Sequence, residues 1–290
     1  PTKEIISMTL KHAGLLLTLL FAAVGCAGEK RNKTATETGG ETSPLVLFCR
    51  GIDYSDTARL HSEPYMEETM SKIVKLMPAT DSTATHQALS ILFNGMKHDG
   101  RALNEATRLA TLYLNNPASP ARNENLYIRL LQTLLSTDSL PESLHEQASE
   151  RLRIALLNRP GSVATDFRYL DRNGSKGSLH QFEAPQTLLI FYDPECPHCP
   201  EILKQIASHR GINRAIDEGK LGVLAIYTEG NRDVWEKTKA AMPRNWSVGY
   251  DLTGILDEEL YDLPAMPTLY LLDGEHRVML KDPEPTTLLR

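Results

Sequence analysis

Apolar positions recur every three or four residues between residues 65 and 157, the spacing that places side chains on one face of an α-helix. The stripes are rich in leucine, methionine and alanine, and short segments with proline, glycine or asparagine separate several of them. Stripes of this kind form a protein core far more often than a binding site. The pattern predicts a compact domain of five amphipathic helices, over residues 66–77, 88–96, 103–114, 127–134 and 144–156.

The pattern changes after residue 161, where strand-like runs alternate with helical stripes. Residues 166–170 are predicted to form a strand that turns at 171–174 and returns over 179–182. A terminal hairpin is predicted over 268–272 and 278–281. The other expected elements are strands at 187–192, 221–227 and 246–250, a helix from Cys196, and helices near 233–241 and 257–261. Such alternation predicts an α/β domain around a mixed sheet.

The first 44 residues are predicted to lie outside the folded part. An apolar run over residues 13–24 is too short to span a bilayer and has the length of a signal-peptide core. It ends in Ala23-Val24-Gly25-Cys26, which resembles the lipobox of bacterial lipoproteins and implies cleavage before Cys26 and lipidation of its sulfur. We expect a signal peptide over 1–25 and a lipidated, polar tether over 26–44. The alternatives are an ordinary signal peptide or a core helix with an incidental cysteine.

Charge and compartment narrow the possible functions. The net charge of −6 and the lack of lysine or arginine runs argue against nucleic acid as a partner. An exported protein occupies a compartment in which disulfides form and persist. Cys49 lies in an apolar segment, so we expect a buried, inert thiol there rather than a redox partner.

The segment Pro194-Glu195-Cys196-Pro197-His198-Cys199 follows a buried-strand pattern and carries the clearest chemical signal. The two cysteines are predicted to open the next helix, where unpaired N–H groups and a partial positive charge favour thiolate over thiol. The second cysteine can then close a disulfide with the first. Half of a zinc site is the alternative, but it requires about two further ligands at similar spacing. Cys26 and Cys49 are single and distant, so neither a metal nor a cofactor is expected.

Together these motifs resemble the exported thioredoxin-like lipoproteins of the TlpA/ResA type. The resemblance is carried by the predicted hairpin over 166–182, by residues 191–199 and by residues 266–273. It implies an α/β fold class, with a thioredoxin-like domain over 160–290 preceded by an all-α helical domain over 45–159. The helical region resembles a domain of unknown function that precedes such modules in envelope lipoproteins, and this second resemblance implies no activity.

The family resemblance implies thiol–disulfide exchange, with Cys196 as the attacking thiolate and Cys199 as the buried resolving thiol. It also implies that Pro267 is a cis-proline facing the redox pair and that Met266 pairs with an extended substrate chain. The expected partners are exported client proteins with thiols or disulfides and a membrane electron donor or acceptor. The expected location is the bacterial cell envelope, where a lipid anchor holds the protein facing the periplasm or at the cell surface.

The chain departs from the family pattern near the resolving cysteine. Ile190 stands where thioredoxin has a buried acid, and Ile202 stands where TlpA-type proteins often have a glutamate. Glu201 is one residue short of that position, and helical geometry turns it to another side. The sequence therefore assigns no proton acceptor to Cys199. Residues 282–290 leave room for at most a stub of the usual C-terminal helix.

The direction of electron transfer stays open. Pro197-His198 is the dipeptide of the DsbA oxidases, and a histidine between the cysteines stabilises the thiolate, which makes the disulfide more oxidising. Most TlpA-like proteins, however, are reductases. Alternatively, His198 is a solvated residue at the helix start with no effect on the thiolate. A second hypothesis from another class is a non-catalytic lipoprotein binding module with a structural Cys196–Cys199 disulfide.

Overall fold

The helical part of the molecule contains seven α-helices in the described region. The computed structural model describes residues 43–283 and 285–288, so the predicted lipidation site Cys26 and the signal segment lie outside the described residues. The helices are α1 (Pro44–Arg50), α2 (Thr57–Leu60), α3 (Glu63–Leu76), α4 (Ser82–Met96), α5 (Gly100–Leu114), α6 (Glu124–Leu135) and α7 (Glu142–Ala155). The five predicted helices correspond to α3–α7. The sequence pattern does not predict α1 and α2, because helices this short give little periodic signal.

Polar residues fix where these helices begin. The side chain of Asp81 accepts hydrogen bonds from two backbone N–H groups at the start of α4. Asp99 and Asn123 each accept one at the starts of α5 and α6. Such caps satisfy donors that have no partner inside the helix. The apolar faces then meet in one core, in which Cys49 is fully buried.

The second part is a seven-stranded mixed sheet with helices. Its elements are β1 (Arg168–Asp171), β2 (Lys176–Ser178), β3 (Gln186–Tyr192), α8 (Cys199–Ser208), α9 (Arg210–Asp217), β4 (Gly222–Tyr227), α10 (Arg232–Thr238), β5 (Ser247–Asp251), β6 (Thr268–Asp273), β7 (Val278–Lys281) and α11 (Pro285–Leu288). The strand order is β2-β1-β5-β4-β3-β6-β7. Strand β3 pairs parallel with β4 and antiparallel with β6. The predicted α/β class, with an all-α part before it, is confirmed.

The two faces of the sheet are covered differently. Cys199, Ile206 and Trp235 pack with one face of β3 and β4, and Phe167, Tyr261 and Tyr270 pack with the other. All six side chains of β3 from Thr187 to Tyr192 are buried. A continuous apolar run is what a central strand with both faces covered requires. The turn that follows β3 is therefore held on the most buried part of the sheet.

The return strand of the first hairpin and the helix near 257–261 differ from the prediction. The return strand of the first hairpin is Lys176–Ser178, and residues 179–181 form a 3₁₀ turn instead. The carboxylate of Asp171 accepts from the N–H groups of Asn173 and Ser175, which closes the turn and starts the return strand earlier. The helix expected near 257–261 is a series of turns, since Glu259 has a φ of 45°, outside the right-handed helical region.

Helix α9 was not predicted at all. It follows α8 directly, and His209 separates them in an extended conformation while its ring accepts a hydrogen bond from the N–H of Ile212. Within the residues that the structure describes, no helix has both the length and the apolar character needed to cross a bilayer.

Candidate active site

A tight turn carries Cys196 at the end of β3. Asp193 forms this turn: its carboxylate accepts from the N–H of Glu195 at 2.9 Å, and its carbonyl accepts from the N–H of Cys196 at 3.2 Å. The carbonyl of Cys196 accepts in turn from the N–H of Cys199 at 3.3 Å. Helix α8 begins only at Cys199. The prediction that both cysteines open the helix is therefore wrong for Cys196, which lies in the preceding turn.

The two thiols occupy very different environments. Cys196 is partly exposed, whereas Cys199 is 0% exposed at the start of α8. Burial raises the pKa of the Cys199 thiol to about 12, a backbone hydrogen bond at Asp193 opposes this rise, and a hydrogen bond with the Cys196 side chain adds to it. Since only a thiolate is nucleophilic, the accessible sulfur of Cys196 is suited to attack and the buried sulfur of Cys199 is not available to solvent.

A segment far away in the sequence completes the site. The thiol of Cys196 donates a hydrogen bond to the carbonyl of Met266 at 3.2 Å, across a separation of 70 residues. The peptide bond between Met266 and Pro267 is cis, as the family resemblance implies. Strand β6 follows at once and pairs with β3, so the sheet brings the two motifs together. Cys196, Cys199, Met266 and Pro267 thus meet in one site.

The remaining predicted residues lie at the rim. Pro197 and His198 are exposed, and the side chain of His198 makes no capping hydrogen bond at the start of α8. His198 borders a cavity that Met266 and Pro267 also line. The site therefore presents an imidazole to solvent close to the redox pair.

The departures from the family pattern leave Cys199 in apolar surroundings. Ile190 is fully buried and Ile202 partly buried, and both pack in the cluster that contains Cys199. Glu201 is exposed, and its carboxylate accepts from the side chain of Gln205 at 3.1 Å. None of these three side chains can take a proton from Cys199. The sequence analysis gave no role to Asp193, although an aspartate before a proline at a strand end is a turn signal.

Two cavities border the segment that carries the two cysteines. One, of about 420 Å³, is largely apolar and borders Cys199, Tyr192, Leu203 and Met242. The other, of about 270 Å³, lies on the side of His198 and Pro267.

Comparisons with known proteins agree with this architecture. Residues 49–158 match a family described as a domain of unknown function (DUF5106). The chain is similar to the crystal structure of a thioredoxin-like protein from Bacteroides caccae, at 31% identity over 84% of this chain and 88% of that chain, with a TM-score of 0.76. No curated protein matches the chain.

Two further solved structures are similar over less than half of the chain. A conserved protein of unknown function from Bacteroides fragilis is 39% identical over 45% of this chain and 96% of that chain, with a TM-score of 0.43. A domain of a possible thiol-disulfide isomerase from Cytophaga hutchinsonii is 23% identical over 46% of this chain and 90% of that chain, with a TM-score of 0.41. The fold assignment rests on the Bacteroides caccae structure, whose match spans the helical and the α/β parts. It confirms the predicted thioredoxin-like fold behind an all-α region.

Proposed function

The chain belongs to the thioredoxin-like proteins, and on that premise we propose that it is a thiol–disulfide oxidoreductase that works through Cys196 and Cys199. One observation carries the proposal. The partly exposed thiol of Cys196 donates a hydrogen bond to the carbonyl of Met266 at 3.2 Å, while Cys199 is fully buried. In this arrangement the Cys196 sulfur can react with a client protein, whereas the buried Cys199 sulfur can react only with Cys196.

Exchange in the reducing direction needs two steps. The Cys196 thiolate attacks one sulfur of a client disulfide, so that a mixed disulfide forms and a client thiolate leaves. Cys199 then loses its proton and attacks the Cys196 sulfur, which forms the internal disulfide and releases the second client thiol. Two electrons pass to the client. A dithiol donor, which we propose is a membrane protein, then reduces the Cys196–Cys199 disulfide.

We propose that this chemistry takes place in the bacterial cell envelope on exported proteins, with the chain held by lipid on Cys26. The motivation is the apolar run over residues 13–24 followed by Ala23-Val24-Gly25-Cys26. Labelling with a radioactive fatty acid should mark the protein, and Cys26→Ser should release or misprocess it. A wild-type protein recovered soluble and without lipid would contradict the anchor and leave the exchange chemistry untouched.

Insulin reduction and the reduction potential test the activity. The wild type should reduce insulin, Cys196→Ser should not, and Cys49→Ser, which alters a buried thiol of the helical part, should behave as the wild type. Equilibration with glutathione gives the potential, for which about −270 mV is typical of thioredoxin and about −120 mV of an oxidase such as DsbA. A wild type that exchanges with no disulfide would favour the alternative, a binding module with a structural Cys196–Cys199 bridge.

A further inference from the structure

The helical part reaches the redox site. The cavity of about 270 Å³ beside the redox pair has walls from both parts of the molecule. The α/β part contributes His198, Ile202, Ala265, Met266, Pro267, Leu269, Asp282 and Pro283. The loop over residues 115–123, between α5 and α6, contributes Pro117, Ala118 and Arg122. Met266, whose carbonyl accepts from the Cys196 thiol, lines the same cavity as this wall from the helical part.

Internal hydrogen bonds give the loop over 115–123 a defined shape. The carbonyl and the side chain of Asn116 accept from the N–H groups of Ser119 and Ala118, both at 2.9 Å. The hydroxyl of Ser119 donates to the carbonyl of Tyr113 at 2.6 Å. The carbonyl of Ser119 accepts from the N–H of Arg122 at 3.1 Å. A binding wall that is already ordered loses less conformational entropy when a client binds.

An ion pair holds this loop against the α/β part. Arg122 Nη2 lies 2.6 Å from Asp282 Oδ2, and the N–H of Asp282 donates to the carbonyl of Leu269 at 2.8 Å. Burial raises the pKa of the Asp282 carboxyl, and the Arg122 guanidinium opposes that rise. A charge-assisted bond between partly buried partners is more directional than an exposed pair. The wall is therefore fixed relative to Leu269 on β6, the strand that follows Pro267.

The chemistry of the cavity favours an apolar occupant. The charges of Arg122 and Asp282 cancel each other, and most of the other walls are proline, alanine and aliphatic side chains. The volume is below the range of roughly 300–1,000 Å³ that is typical of small-molecule sites. This space has room for a side chain of a bound peptide. Met266 contacts the Cys196 thiol at 3.2 Å and also lines the cavity, and an extended chain advances about 3.3 Å per residue, so the cavity is placed for a residue close to a client cysteine bound at Cys196.

We propose that the loop over 115–123 is a specificity element for client proteins, and that the cavity holds an apolar side chain next to the client cysteine. The proposal rests on the proposed exchange activity and assigns to the helical part the selection of substrates. Pro117 and Ala118 are exposed, so the cavity is open to an incoming chain. The occupant is the unfolded or extended segment of an exported protein.

Filling the cavity tests the proposal. Ala118→Trp adds a large side chain at the wall, and Ala118→Leu adds a smaller one. Ala79→Trp is the matched control, since Ala79 is also an exposed alanine of the helical part and lies outside this cavity. The probes are two disulfide-linked peptide dimers, with leucine or with glutamate on both sides of the cysteine, together with oxidised glutathione as a small disulfide.

The wild type should reduce the leucine peptide at least about tenfold faster than the glutamate peptide, because most walls of the cavity are apolar and Arg122 is already paired with Asp282, so a glutamate side chain loses hydration there and gains little. Ala118→Trp should lower the ratio of the leucine-peptide rate to the glutathione rate about tenfold, with Ala118→Leu between it and the wild type. Ala79→Trp should match the wild type.

Equal rates for the two peptides in the wild type would overturn the proposal, as would an unchanged ratio in both Ala118 variants. A wild type that exchanges with neither the peptides nor glutathione would instead refute the oxidoreductase activity itself, so the two failures are distinguishable. If both Ala118 variants reduced all three probes more slowly by the same factor, the substitutions would have damaged the redox pair. This result would also count against a specificity role.

Discussion

Burial of the resolving cysteine predicts that the second step of exchange depends steeply on pH. Cys199 is 0% exposed, and burial raises the pKa of its thiol to about 12. The thiolate fraction falls about tenfold for each pH unit below the pKa, so at pH 7 it is about one part in 10⁵. At 1.36 kcal/mol per unit, forming the Cys199 thiolate at pH 7 requires roughly 7 kcal/mol.

The mixed disulfide changes this environment only in part. Once Cys196 is bonded to a client, its thiol no longer forms the hydrogen bond that helps to raise the pKa of Cys199. Burial, the largest cause, remains, and Ile190 and Ile202 still lie in the same apolar cluster. Because only the thiolate attacks, we expect the rate of client release to rise about tenfold per pH unit from pH 6 to pH 9, without a plateau.

A pH-jump experiment measures this step. The reduced protein is loaded at pH 5 with an activated fluorescent peptide, which bonds to Cys196 while Cys199 stays protonated. Stopped-flow mixing into buffers of pH 6–9 then gives the rate of peptide release. Cys199→Ser should release no peptide and accumulate the mixed disulfide, and Cys49→Ser should release it as the wild type does. Release that is independent of pH, or that reaches a plateau below pH 9, would show that a nearby group takes the Cys199 proton and that burial does not control the step.

Three further outcomes are expected. Ile202→Glu introduces a carboxylate beside Cys199, so peptide release should become less dependent on pH in the same assay, whereas Ile202→Gln should leave the slope unchanged. His198→Ala should make the potential against glutathione more negative by no more than about 20 mV, because the imidazole is exposed and solvent screens its interaction with the Cys196 sulfur; a larger shift would contradict this. Lys281→Met should lower the free energy of unfolding in urea by about 3 kcal/mol, since it leaves Glu124 and Asp262 without their buried cation; an unchanged midpoint would refute that reasoning.

Local signals in the sequence were enough to find the redox pair and the proline opposite it. A buried strand followed by Cys-Pro-His-Cys, and a proline just before another strand, are short patterns that the fold then brings together. The start of α8 was missed because it depends on the hydrogen bonds that Asp193 makes within the turn. These bonds delay the helix to Cys199, which periodicity alone does not reveal.

The contribution of the helical part to the site could not be predicted in the same way. Arg122 and Asp282 pair across the two parts of the chain, and neither lies in a pattern that identifies its partner. The loop over 115–123 has the composition of an ordinary helix–helix connection, and its sequence indicates only where α5 ends. Only the packing of the two parts shows that this connection borders the redox site.

Ion pairs at the end of β7 join the helical part to the α/β part. The ammonium group of Lys281, whose side chain is 3% exposed, lies 2.6 Å from Glu124 of the helical part and 3.2 Å from Asp262 of the α/β part. It also donates to the carbonyl of Ala155 at the end of α7. A buried cation is stable only while its partners stay in place. The next residue, Asp282, pairs with Arg122 of the loop over 115–123, so two consecutive residues of the α/β part anchor this loop and the start of α6.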